Sequence, residues 1–248
     1  EVLANAAEKS KLCTFSVGIA AVRVQSPKLF DESINFCKKG NFSAHIHLQE
    51  IREEVTAVRN EEGLTPIQYC SKKGLFDNPT VAAHCVWIDT DDTKILAENS
   101  VGVAHNPISN MILASGVCPV PELRSLGINV GIGIDGAGSN DSQDMLQSIK
   151  ITPLLQRVKK MQATALSARD AFMMATIEGA KVLGVESFLG SIELRKRADF
   201  VILDGDSPAL ANIHDPFQAI VYCAGKTEVK EVWVEGENIF KDGVITNV

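Results

Sequence analysis

Five apolar runs of strand length, each followed by a helical pattern, constrain this chain more than any other feature. They are CTFSVGIAAVRV (13–24), SAHIHL (43–48), TVAAHCVWI (80–88), SVGVAH (100–105) and NVGIGI (129–134). Runs rich in Val, Ile and Ala that alternate with helices suit strands buried on both faces, so parallel βα units are expected. Ser26-Pro27 opens a helix over 28–40, and a helical stretch runs to about Lys73 and ends near Gly74. DTDDTKILAEN forms a helix with an acid-rich first turn, Pro121 to Leu126 a short one, and two long helices cover about 142–161 and 167–183. The first residues, EVLANAAEKSK, read as the end of an amphipathic helix.

The pattern then changes. RADFVILDGD, AIVYCAG and EVKEVWVEGENIFKDGVI are short strands broken by EGEN and KDG, which suit hairpin turns. The last part of the chain is therefore expected to be a small antiparallel β appendage. At 248 residues and 45% hydrophobic, the chain can bury a sizeable core. Its net charge of −7 and its lack of a Lys/Arg-rich run argue against nucleic acid and favour a small-molecule substrate. No apolar stretch reaches the roughly 18 residues a membrane-spanning helix needs. The six cysteines are scattered without a CxxC, as expected for reduced thiols in a cytoplasmic protein.

Polar groups that can handle protons or bind metal recur at the ends of these strands: His47 with Glu50, His84, His105 and Asp135. In a parallel βα assembly all strand C-termini lie on one face, where barrel enzymes build their sites. Neutral imidazoles and a carboxylate are good Zn²⁺ ligands, and an open coordination position activates water near neutral pH. Glu50 falls just past its strand, where it could move a proton between water and a substrate nitrogen. His84 could bind metal or hold the attacking water, and Asp135 ends a fully apolar strand, where charge is costly unless paired. Alone, each has a plainer reading: a core histidine, a turn acid in DG, an Asn/Pro turn in HNPISN. His45 shares a strand face with His47 and is expected in a supporting role. His214 and Cys85 are read as structural. Four such groups in successive units outweigh the separate readings.

These residues stand in longer stretches: HIHLQE, TVAAHCVWID, VAHNPISNMILASGVCPVPELRSLGINVGIGIDGAGSNDSQDM, SARDAFMMATIEGAKVLG, GSIELRKRADFVILD and HDPFQAIVY. Together they resemble the amidohydrolase superfamily, in its metal-dependent deaminase and chlorohydrolase branch, over nearly the whole chain. The resemblance implies an α/β fold, a (β/α)8 TIM barrel with about five of eight strands in this sequence and a small C-terminal β appendage. It places the catalytic barrel part at 1–192 and the C-terminal part of a composite β-sandwich at 193–248. It implies one divalent metal, zinc before iron, with His47, Asp135 and His84 as ligands. Glu50 is then the proton shuttle, with His84 and Asp135 catalytic beside it. Glu50, His84, His105, Ser139 and Asn140 face the substrate, and Asn110 shapes the HNPxSN loop.

The chain departs from the family pattern in three places. No strand before residue 44 carries the family's His-x-His, so the chain is expected to begin inside the third βα unit, its N-terminal portion missing. Ala20 stands where several relatives have a substrate-touching His in Gly-Pro-His-Ala-Pro, with Arg23 nearby, and LRKR replaces the usual Pro-Gly after GSIE. The leading expectation is hydrolytic deamination of a heterocyclic amine. A chlorohydrolase or N-alkylaminohydrolase acting on a similar ring is the alternative, and a non-catalytic barrel fragment, which would survive by pairing with its missing part or as a homo-oligomer, is the third reading.

Overall fold

The structure, a computed structural model, describes residue 4, residues 13–211 and residues 214–246. Apart from residue 4, the helix end read in residues 1–11 lies outside them. Contacts divide the chain into two compact units, Glu1–His105 with Asn110–Val130, and Asn106–Ser109 with Gly131–Val248.

Five strands, β1 (Ser16–Ile19), β2 (Ser43–Leu48), β3 (Thr80–His84), β4 (Gly102–His105) and β5 (Val130–Ile132), form one sheet in sequence order. The pairing is parallel, as expected from the runs of Val, Ile and Ala, with Ile19 opposite Ile46 and Leu48 opposite His84. β2 shows how sequence sets the two faces. Ala44, Ile46 and Leu48 are fully buried on one side, while His45 and His47 alternate to the other and keep solvent access. Full burial of side chains such as Ile46 and Leu48 stabilises the fold by about 1.5–3 kcal/mol each. β1 is shorter than the run 13–24, because a turn closed by Val24 N–H donating to the Ala21 carbonyl replaces the strand beyond Ile19.

In the first unit, α1 (Pro27–Gly40) starts where Ser26 Oγ accepts from the Leu29 amide and Pro27 takes the first turn. The stretch expected to run as one helix to Lys73 is two, α2 (Arg52–Glu62) and α3 (Pro66–Lys72). Gly63, at φ 70°, closes α2, and Thr65 opens α3 through a capping box with Gln68. α4 (Thr90–Glu98) has its own capping box, from Asp89 and Asp92. α5 (Pro107–Ile112), whose first three residues are counted with the second unit, and α6 (Val120–Ser125) follow β4.

The second unit holds α7 (Met145–Lys160) and, in place of one helix over 167–183, α8 (Ala168–Met174) and α9 (Ile177–Val182). The break falls at Thr176, whose backbone leaves the helical region at φ −125°, ψ −105°. AIVYCAG, read as a strand, lies instead in α10 (Pro216–Tyr222) and the turn after it. Asp215 caps the Phe217 amide and Pro216 fixes the first turn. The expected antiparallel sheet is present as β6 (Phe200–Leu203), β7 (Val229–Val234), β8 (Glu237–Lys241) and β9 (Val244–Ile245). Its hairpins turn at Glu235-Gly236 and Asp242-Gly243, both residues of each pair at positive φ, as primed two-residue turns require.

Candidate metal and proton-transfer site

His47 projects from β2, and the backbone sets its chemistry. Its Nδ1 lies 2.6 Å from the Ala20 carbonyl oxygen. A carbonyl only accepts, so Nδ1 carries the proton and Nε2 keeps the lone pair. The Ala20 carbonyl therefore orients the histidine of the neighbouring strand.

His84 ends β3 with its backbone in the left-handed region, at φ 73°, a conformation a non-glycine residue holds only under constraint. Its ring is buried and stacks on that of His47, centroids 5.3 Å apart and 26° between planes. Nδ1 lies 2.8 Å from Asn110 Oδ1. This contact fixes the tautomer that frees Nε2, which is buried and has no hydrogen bond. A ligating imidazole needs its other nitrogen held in this way.

Glu50 follows β2 after Gln49, another left-handed residue at φ 52°. Gln49 is fully buried. Its side-chain amide donates to the Trp87 carbonyl and to Asp92 Oδ2, and its Oε1 accepts from the Ile67 amide. The kink is thus tied to β3's exit and to the start of α3. Beyond it the Glu50 carboxylate has Oε1 2.9 Å from Ser115 Oγ, which donates to it, and Oε2 3.7 Å from His84 Nε2. One turn into α2, burial pushes the Glu54 carboxyl up to about 7, opposed by the backbone amides of Glu50 and Gln49. Burial likewise raises Asp92, opposed by hydrogen bonds from Thr65 and Gln49.

Asp135 lies beyond β5, also at positive φ, 59°. The hydroxyls of Ser109 and Ser139 both donate to its Oδ2, at 2.5 and 2.7 Å. These two donors fix Oδ2 and with it the orientation of the carboxylate. Asn140 is buried; its amide donates to the Ile134 carbonyl and its Oδ1 accepts from Ser142, so its side chain braces the loop. His105 is fully buried at the end of β4.

His47, His84 and Asp135 are a group that could hold a metal ion, each offering a ligand atom, all within 4.8 Å of one another. Two neutral imidazoles and a carboxylate suit Zn²⁺ and leave room for water, and the unpaired, buried Nε2 of His84 is the kind of atom a metal satisfies. Neither His105 nor His45 belongs to that group. The sequence reading missed Ser109, Ser115 and the Ala20 carbonyl. Ser109 sits in the quoted HNPISN, and its hydroxyl was the available signal; a backbone carbonyl offers none.

The amidohydrolase family model matches residues 2–239. The chain belongs to the amidohydrolase family. It is 41% identical over 232 residues to the 5'-deoxyadenosine deaminase of Methanopyrus kandleri, covering 94% of this chain and 54% of that protein. It is 44% identical over 197 residues to the 5-methylthioadenosine/S-adenosylhomocysteine deaminase of Desulforudis audaxviator, covering 79% of this chain and 46% of that one. Among solved structures, an adenosine deaminase from Xanthomonas campestris with bound zinc superposes with a TM-score of 0.95 at 28% identity, over 100% of this chain and 56% of that one. This amidohydrolase chain thus spans about half the length of the relatives it matches. Its parallel five-stranded sheet and small antiparallel sheet are those of an amidohydrolase barrel and its appendage. Among the described residues no helix is long and apolar enough to cross a membrane.

Proposed function

We propose that the protein is a metal-dependent deaminase that hydrolyses the exocyclic amine of a purine-type ring, with 5'-modified adenosines as the first substrates to try. The observation that carries the reading is the His47–His84 pair, both rings held in ligand-ready tautomers, with the Glu50 carboxylate 3.7 Å from His84 Nε2. The deaminase names of the relatives supply the ring-amine substrate class.

His47, His84 and Asp135 would hold one divalent ion, zinc first. When bound, it supplies the Lewis acidity that lets water react near neutral pH. Asp135, oriented by Ser109 and Ser139, accepts the proton that water gives up. Glu50 delivers a proton to the ring nitrogen next to the reacting carbon, which lowers the barrier to attack there, then takes up the proton of the hydroxyl formed on that carbon and passes it to the departing amine; the proton held by Asp135 returns to Glu50 through solvent and resets the site. Leaving ammonia needs that proton and leaving chloride does not, so Glu50 favours the amine. Ser139 would line the substrate's side of the site, with buried His105 and Asn140 shaping it from behind. Residues 1–192 would form the barrel part and 193–248 the β part. Six cysteines outside any disulfide, four of them buried, suit a cytoplasmic enzyme.

The test is ammonia release by the full-length protein over adenosine, 5'-deoxyadenosine, 5'-methylthioadenosine, S-adenosylhomocysteine and guanine, with metal content measured alongside. Turnover should require the metal, and Glu50→Gln should lower kcat by about 10²–10⁴-fold while metal content stays stoichiometric. Unchanged turnover in that variant would remove Glu50 from proton transfer.

A further inference from the structure

One short loop reaches both polar groups of the first unit's site. Asn110 orients His84 through Oδ1, and Ser115, whose amide donates to the Asn110 carbonyl, reaches Glu50 through Oγ. Ser115 is nearly fully buried. Its carbonyl accepts from Trp87 Nε1 at 2.8 Å, and the Trp87 ring is in turn covered by the Arg52 guanidinium, 4.6 Å from its centroid. Gly116 lets the loop come this close. It sits at φ 125°, and a Cβ there would lie 2.7 Å from Val86 Cγ1.

We propose that Ser115 is a positioning residue for Glu50. Its hydroxyl engages Oε1 so that Oε2, the oxygen facing His84, is the one that exchanges protons with substrate, and the Trp87 indole sets where that hydroxyl stands. A carboxylate on a rotatable side chain presents either oxygen in several directions. Fixing one oxygen with a buried donor selects one orientation before substrate arrives, the preorganisation that proton transfer rewards. The proposal rests on the deaminase reading for its activity readout and on geometry alone for its structural one.

The experiment compares Ser115→Ala, Trp87→Phe and Glu50→Gln, singly and with Ser115→Ala added to Glu50→Gln, in the full-length metal-loaded protein. Ser115→Ala should lower kcat about 10–100-fold, the range a hydrogen bond to a charged group is worth, with KM within about twofold and metal content unchanged. Trp87→Phe, which keeps a ring under Arg52 and removes the N–H, should act in the same direction and less. In the Glu50→Gln background Ser115→Ala should cost almost nothing more, a non-additivity that a merely structural serine would not give. A crystal structure of Ser115→Ala should show the Glu50 carboxylate rotated or spread over several positions. Full turnover in Ser115→Ala, additive losses in the double variant, or an unmoved Glu50 would overturn the proposal while leaving deamination intact. A wild-type protein that releases no ammonia would defeat the deaminase reading instead, and the position of Glu50 in the Ser115→Ala crystal would still decide the role of Ser115.

Discussion

Two hydroxyls on one carboxylate oxygen, Ser109 and Ser139 on Asp135 Oδ2, illustrate how single residues set the chemistry of this site. Neither serine touches the His pair in any hydrogen bond described above, yet together they decide which way the acid presents its other oxygen. Replacing both with alanine should weaken zinc binding about 10–100-fold, as losses in the shell behind metal ligands do; competition with a chromogenic chelator measures it. Glu54 makes a different prediction. Its carboxyl is raised to about 7 in the folded protein from an ordinary 4.5, so the folded state holds a proton that the unfolded chain releases. The resulting stabilisation is complete below about pH 4.5 and is lost as pH rises through 7. Glu54→Gln should flatten that dependence and raise Tm at pH 8 relative to wild type, while leaving Tm at pH 4.5 nearly unchanged; thermal melts across the range check it.

Elements hold the site by their ends. The start of α3 is the clearest case, because Thr65 caps the helix through the Gln68 amide and also donates to buried Asp92 Oδ1, whose other oxygen accepts from Gln49. Thr65→Ala should therefore cost more than a lost cap, about 1–3 kcal/mol, since it also leaves a buried carboxylate oxygen short of a partner; urea unfolding of the variant gives the value. The strands and most helix starts were legible because they rest on local chemistry: apolar period in SAHIHL, Ser26-Pro27, the acid-rich turn at Asp89. His47, His84 and Asp135 stood out as candidates because ligand-type residues at the ends of apolar runs are conspicuous. Less legible were features decided by φ or by distant partners. Gly63 and Thr176 interrupt helical patterns that periodicity alone would continue. In AIVYCAG a β-rich composition outweighed the Asp215-Pro216 start signal just before it. Ser115 reaches Glu50 across 65 positions of sequence, a pairing no spacing rule contains.

Among the described residues, the parallel sheet ends on β1 at one side and β5 at the other, and three large apolar side chains, Leu194, Met161 and Ile192, are at least 86% exposed. Unpaired strand edges and apolar surface together promote association. A polypeptide of residues 1–248 should therefore sediment as more than a monomer; a monodisperse monomer would contradict this. The left-handed backbone at Gln49, His84 and Asp135 carries a consequence for how such a protein can change over generations. At those three places the main chain filters replacements before chemistry does: Gly, Asn and Asp fit that geometry, whereas Val, Ile and Pro strain it whatever they might bind. A saturation library sorted only for folded protein should already be depleted of branched residues at 49, 84 and 135, so new activities would arise more readily from neighbours on the loops than from the strand tips themselves.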